Sequence, residues 1–141
     1  MLVQQLVPAD ASAVVFSANP LTGSGDEVLI NAGWGLGESV VSGTVTPDTY
    51  LIRKADLAVV SRDIADKRRM TVLAHEGTHE VPVPRPRQKA PSLDDGQAVE
   101  LARLGVALES AMGWPVDIEC AYRGRDLYLL QCRPITTLCA L

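Results

Sequence analysis

The chain has 141 residues, 47% hydrophobic and 21% charged, a mixture that buries a core and excludes disordered, collagen-like and repeat-fibre architectures. A formal net charge of −4 argues against a nucleic-acid partner. No apolar run reaches the roughly 18–20 residues that cross a bilayer, and Met1-Leu2-Val3-Gln4-Gln5-Leu6 lacks the basic and apolar regions of a signal peptide, so no membrane partner and a cytoplasmic location are expected. In chain order, Ala13-Val14-Val15-Phe16-Ser17 is a β-branched run that reads as a buried strand, ending in the turn-rich Asn19-Pro20-Leu21-Thr22-Gly23-Ser24-Gly25-Asp26. Glu27 to Ala32 reads as a second strand paired with the first. It runs into Gly33-Trp34-Gly35-Leu36-Gly37-Glu38 and the small-residue segment Ser39-Val40-Val41-Ser42-Gly43, where backbone can approach a ligand closely.

Thr49 to Lys54 and Leu57 to Ser61 read as a hairpin joined through Ala55-Asp56, and Met70 to Ala74 and Glu80 to Val83 as a second one around Gly77-Thr78. Pro82, Pro84, Pro86 and Pro91, with Arg85, Arg87 and Lys89, predict an exposed connector over about 82–91 that excludes helix. A helix is predicted over about 94–112. Asp94 is its N-cap, Gln97 completes a capping box, and Ala98, Leu101, Ala102, Leu104, Gly105, Leu108 and Met112 form its apolar stripe, with Gly113 and Pro115 as stop signals. A last hairpin follows, Val116 to Tyr122 and Leu127 to Arg133 around Arg123-Gly124-Arg125-Asp126. The predicted fold class is α+β: a hairpin-rich, mostly antiparallel sheet with one main helix packed on it.

The last hairpin carries the chemistry. Residues two apart on a strand share a face, so Asp117 and Glu119 point one way while Val116, Ile118 and Cys120 point inward; on the return strand Gln131 and Arg133 share the outer face and Leu130 and Cys132 the inner one. Pairing Asp117 near Gln131 gathers two carboxylates, an amide and a guanidinium on one surface. Hard oxygens of this kind hold Mg²⁺, which bridges phosphates, and a guanidinium forks onto phosphate. The alternative at this point is a solvated strand face with two surface ion pairs. Glu38 is the second candidate, although its glycine run has neither Rossmann nor P-loop spacing and serves turns equally well.

Two competing patterns bear on the function class. Ala74-His75-Glu76-Gly77-Thr78-His79-Glu80 fits the HExxH spacing of a zinc metalloprotease, with Glu100 as a possible third ligand; but that chemistry needs a helix, and Gly77, the following prolines, Thr71, Val72 and Val81 favour strand. Cys120, Cys132 and Cys139 form no CxxC pair and read as free thiols in a reducing compartment. Lys67-Arg68-Arg69 reads as a solvated basic face, and Trp34 as a packing residue.

Six ordered blocks now identify a resemblance: Phe16-Ser17-Ala18-Asn19-Pro20-Leu21-Thr22-Gly23, Gly33-Trp34-Gly35-Leu36-Gly37-Glu38, Val45-Thr46-Pro47-Asp48, Asp66-Lys67, Pro115-Val116-Asp117-Ile118-Glu119, and Leu129-Leu130-Gln131-Cys132-Arg133-Pro134-Ile135-Thr136. Over residues 3–138 the chain resembles the nucleotide-binding domain of the phosphoenolpyruvate synthase / pyruvate phosphate dikinase family, which also includes rifampicin phosphotransferases. The resemblance implies an ATP-grasp fold holding ATP and Mg²⁺ between two subdomains, with phosphate passing to a histidine on a separate domain and then to pyruvate or a similar acceptor. It implies Glu38, Asp117, Glu119, Gln131 and Arg133 as ATP-site residues, Asp117 and Glu119 among them as metal ligands, and offers Lys67 to phosphates as the alternative to a solvated face. Neither His75 nor His79 lies in anything resembling the family's phosphohistidine motif.

On this resemblance the whole of 1–141 corresponds to the second, C-terminal subdomain of the ATP-grasp domain. The lysine- and arginine-bearing first half and the phosphohistidine domain are then expected as partners, on a separate chain where the enzyme is split, and the isolated chain is expected to be inactive in catalysis. A non-catalytic binding or interaction module is the competing expectation: an uncovered clamp face exposes apolar surface and favours a homo-oligomer.

Overall fold

The computed structural model describes Met1 and residues 3–136. Its main element is a six-stranded antiparallel sheet in the order β4-β3-β2-β1-β7-β8, built from β1 (Ala11–Phe16), β2 (Glu27–Trp34), β3 (Asp48–Arg53), β4 (Val59–Asp63), β7 (Val116–Arg123) and β8 (Asp126–Pro134). Between them come the short α1 (Glu38–Ser42), a separate hairpin of β5 (Arg69–Ala74) and β6 (Gly77–Pro82), the one-turn α2 (Arg85–Gln88), and the long α3 (Asp95–Met112). This is the expected α+β layout, with each predicted hairpin present.

The period-2 rule sets the two faces of the sheet. Ala11, Ala13 and Val15 of β1, Val28, Ile30 and Ala32 of β2, Tyr50 and Ile52 of β3, and Val116, Ile118 and Cys120 of β7 form the buried core with Leu93, Ala98, Leu101 and Ala102. Gly105 lets the α3 backbone come close to the sheet, since a Cβ there would stand 3.3 Å from Val15 Cγ1. The α3 start is fixed as its sequence predicts: Asp94 Oδ1 accepts from Gln97 N–H at 2.7 Å, Gln97 Oε1 accepts from Asp94 N–H at 2.9 Å, and Gly113 closes the helix at φ 83°. Tyr50 Oη donates to the Leu93 carbonyl at 2.8 Å, tying β3 to the approach to α3. Met112, expected in the apolar stripe, is exposed at the end of the helix.

The proline-rich segment departs from expectation. It is largely exposed, but it contains α2, because Pro84 is the N-cap and Pro86 sits in the first turn, where the missing N–H has no intrahelical partner to lose. Trp34 holds this turn against the sheet: its Nε1–H donates to the Arg87 carbonyl at 2.9 Å, and the Arg87 guanidinium lies 5.1 Å from its ring centroid.

Candidate functional site

The sheet face opposite α3 carries the candidate residues. Glu119 on β7 stands directly opposite Gln131 on β8, and Asp117 opposite Arg133. The expected pairing of Asp117 with Gln131 is therefore displaced by one like-facing position, and a β-bulge is the reason. From the turn upward the ladder runs Arg123 with Asp126 to Cys120 with Leu129, and the register then shifts between Glu119 and Cys120, skipping Leu130. A regular ladder would set Glu119 against Leu130 and Asp117 against Cys132. The extra residue restores like parity and places all four polar side chains on one face. It also turns Leu130, expected inward, into a lining residue beside Gln131, while Cys132 packs against the core as expected.

Glu38, Glu119 and Gln131 line one cleft of about 370 Å³. Its remaining wall includes Gln4, Gln5, Ser12, Gly37, Thr78 and Leu130. Ser12, Thr78 and the paired glutamines were not predicted; the signal available was two amides inside the apolar run Leu2 to Val7, and a hydroxyl directly after a turn glycine. Glu38 begins α1, delivered there by the glycine turn after β2. The charged residues on the cleft wall are Glu38 and Glu119, and among the described residues no basic side chain lines it.

Asp117 and Arg133 lie beside this cleft, in a second depression shared with Phe16, Pro134, Ile135 and Thr136. Arg133 Nε donates to Asp117 Oδ2 at 3.4 Å, and Asp117 Oδ1 is buried with no hydrogen-bond partner among the described residues. An orphaned carboxylate oxygen next to a guanidinium invites a second N–H from the same fork. The carboxylate implied as a metal ligand is thus engaged with the arginine rather than lining the cleft with Glu119.

Lys67 does not reach this surface. It is 1% exposed, and its Nζ donates to Asp48 Oδ1 at 2.7 Å and to the Ala65 carbonyl at 2.9 Å. Asp48 also accepts from Ala65 N–H at 2.9 Å and, on its other oxygen, from Ser92 N–H at 2.8 Å and Ser92 Oγ at 2.7 Å. The Asp48 and Lys67 blocks therefore meet as a buried ion pair that joins β3 to the segments before β5 and α3. Both expectations for Lys67, phosphate approach and solvated face, are corrected by this burial.

The zinc reading fails on geometry. His75 and Glu76 form the β5–β6 turn and His79 pairs with Val72 in the hairpin, so the histidines share no helical face, and among the described residues no three histidine, cysteine, aspartate or glutamate side chains come together to hold an ion. Cys120 and Cys132 are free thiols; Cys139 lies outside the described residues. Burial pushes the Cys120 thiol up to about 12, which makes it a poor nucleophile at neutral pH. No helix among the described residues is long and apolar enough to cross a membrane.

Comparison with known proteins agrees with the residue blocks. Residues 1–140 match the family described as pyruvate phosphate dikinase, AMP/ATP-binding domain. A probable phosphoenolpyruvate synthase of Methanocaldococcus jannaschii is 45% identical over 138 residues, covering 97% of this chain and 12% of that protein. The phosphoenolpyruvate synthase of Pyrococcus furiosus is 43% identical over 146 residues, covering 97% of this chain and 18% of that protein. A rifampicin phosphotransferase of Streptomyces sviceus is 43% identical over 139 residues, covering 98% of this chain and 16% of that protein. The chain thus spans less than a fifth of the length of these three relatives. It belongs to the pyruvate phosphate dikinase AMP/ATP-binding domain family.

Proposed function

We propose that this chain is the ATP-binding portion of a phosphoenolpyruvate synthase-like phosphotransferase and corresponds to the second subdomain of an ATP-grasp clamp. The observation that supports it most is the bulge-set facing of Glu119 and Gln131, with Glu38 in the same cleft. The donor set fits Mg²⁺, which takes one or two carboxylates, keeps several waters and completes its shell with phosphate oxygens. Glu119 and the Gln131 amide oxygen would hold the ion, and Glu38 would add a carboxylate at the rim. Bound there, Mg²⁺ supplies the positive charge that lets a polyphosphate lie beside carboxylates.

The protein's own part is positioning, as phosphoryl transfer requires. Arg133, half exposed and anchored at Nε by Asp117, presents the rest of its fork to a terminal phosphate. Because no cation lines the cleft among the described residues, the remaining phosphate charge is to be met by basic residues of the first clamp half. The histidine that receives the phosphoryl group, and the pyruvate or similar acceptor after it, belong to further domains. On this reading the residues of this chain contribute nucleotide binding, and turnover needs those further domains.

Thermal unfolding tests this reading. Millimolar ATP should raise the transition temperature only when Mg²⁺ is present, since a ligand stabilises by binding the folded state. Equal transitions with and without ATP and Mg²⁺ would reject it.

A further inference from the structure

The glycine turn that delivers Glu38 is held from outside. Leu36 N–H donates to the Thr71 carbonyl at 2.7 Å, Gly35 makes an isolated parallel bridge with Thr71, and the Thr71 and Ser39 hydroxyls share a hydrogen bond. Thr71 is 8% exposed and Ser39 3%, so neither hydroxyl has ready access to replacement water if the other is removed. From the sheet side, Ser12 Oγ donates to the Gly35 carbonyl at 2.8 Å.

Thr71 lies on β5, and the partner strand β6 supplies Thr78 to the cleft wall. The base of this hairpin is pinned to its surroundings: Lys67 N–H donates to the Gln88 carbonyl at 2.7 Å, and Val83 N–H to the Arg68 carbonyl at 2.8 Å. Glu38 and Ser39 are consecutive in the first turn of α1, so the contact that fixes Ser39 also fixes the direction in which Glu38 leaves the backbone.

We propose that Thr71 is a positioning residue for Glu38, and that through it the β5–β6 hairpin is a working wall of the cleft, taking the cleft as the ATP site inferred above. The β5–β6 strands thereby acquire a role distinct from the HExxH coincidence in their sequence. Thr71→Val keeps the shape and the backbone contacts but removes the hydroxyl; Thr71→Ser keeps the hydroxyl; Ser39→Ala removes the same bond from its other end.

Affinity for ATP with Mg²⁺ is measured calorimetrically for the 141-residue chain, these three variants, Glu38→Gln, and Thr71→Val combined with Glu38→Gln. Thr71→Val and Ser39→Ala should each weaken binding about five- to tenfold, the scale of one buried hydrogen bond, while Thr71→Ser stays within about twofold of wild type. In the Glu38→Gln background Thr71→Val should cost nothing further. Equal losses in both backgrounds, or a full loss in Thr71→Ser, would overturn the role. A second readout needs no nucleotide: the backbone amide resonances of Glu38 and Ser39 should move in Thr71→Val and return in Thr71→Ser. Resonances that stay in place would overturn it equally. A wild-type chain that binds no ATP would remove the nucleotide reading, and the amide resonances would then decide the positioning of Glu38 on their own.

Discussion

Lys67→Met puts the correction of the sequence reading to a quantitative test. The substitution keeps the length of an apolar stem and deletes a charge that is 1% exposed and 2.7 Å from a fully buried Asp48. Removing one partner of a buried ion pair costs about 3–5 kcal/mol, because the other charge is left uncompensated in a poorly solvated site. Asp48 keeps its three other donors, Ala65 N–H, Ser92 N–H and Ser92 Oγ, which places the expected loss near the lower end, about 3 kcal/mol. Against a total of roughly 5–15 kcal/mol for a domain of this size, that is a large fraction of the stability, equivalent to a fall of roughly 10 °C in Tm. Equilibrium urea unfolding with the slope unchanged gives the value directly. A loss under about 1 kcal/mol would mean the pair behaves as a solvated surface pair and would refute the reasoning. So would a variant of wild-type stability that loses ATP affinity, the behaviour of a phosphate-binding lysine.

Three further outcomes follow from the same geometry. Gly35 and Gly43 both have positive φ, 76° and 73°, but a Cβ at Gly35 would stand 2.3 Å from the Thr71 carbonyl oxygen whereas one at Gly43 meets nothing within 4 Å. Gly43→Ala should cost about 1 kcal/mol and Gly35→Ala at least about 2, read by urea unfolding; equal costs would contradict the close contact. Burial pushes the Cys120 thiol from 9.0 to about 12 and the Tyr50 phenol from 10.0 to about 12, and raises the Tyr122 phenol as well. Their protonated forms are favoured in the folded state, so this contribution to stability is fully present below about pH 9 and falls as pH rises towards 12; a urea midpoint that holds steady up to pH 11 would contradict it. Asp117→Asn should reduce affinity for ATP more than for AMP while leaving the Mg²⁺ dependence unchanged, since its partner is Arg133. A shifted Mg²⁺ dependence would return Asp117 to the metal ligands that the family resemblance implies.

Much of the fold was legible because local chemistry and tertiary packing agree. Asp94, Gln97 and Gly113 define α3 almost to the residue, and the alternation along Val116 to Tyr122 separates the α3 face of the sheet from the cleft face. The polar surface of the last hairpin was legible by parity alone, but its pairing was not: a bulge at Leu130 leaves no mark in an apolar run, yet it decides that Glu119 faces Gln131. Proline content concealed α2, since a first-turn proline and an interior one read alike without the helix boundary. Lys67 was misread for a related reason. A lysine flanked by Arg68 and Arg69 looks solvated, and only its meeting with Asp48, 19 residues away, takes it inside. Non-local contacts of the same kind hid Ser12 and Thr78, which reach the cleft from a central strand and from a separate hairpin.

Calorimetric titration of the chain with ATP, with and without Mg²⁺, alongside a Glu119→Ala/Gln131→Ala variant, tests the central claim most directly. Saturable binding that requires Mg²⁺ and disappears in the double variant, with its unfolding transition unchanged, is the result predicted by the facing of those two side chains in one cleft. No heat up to millimolar ATP, or binding that the double variant retains, would contradict it.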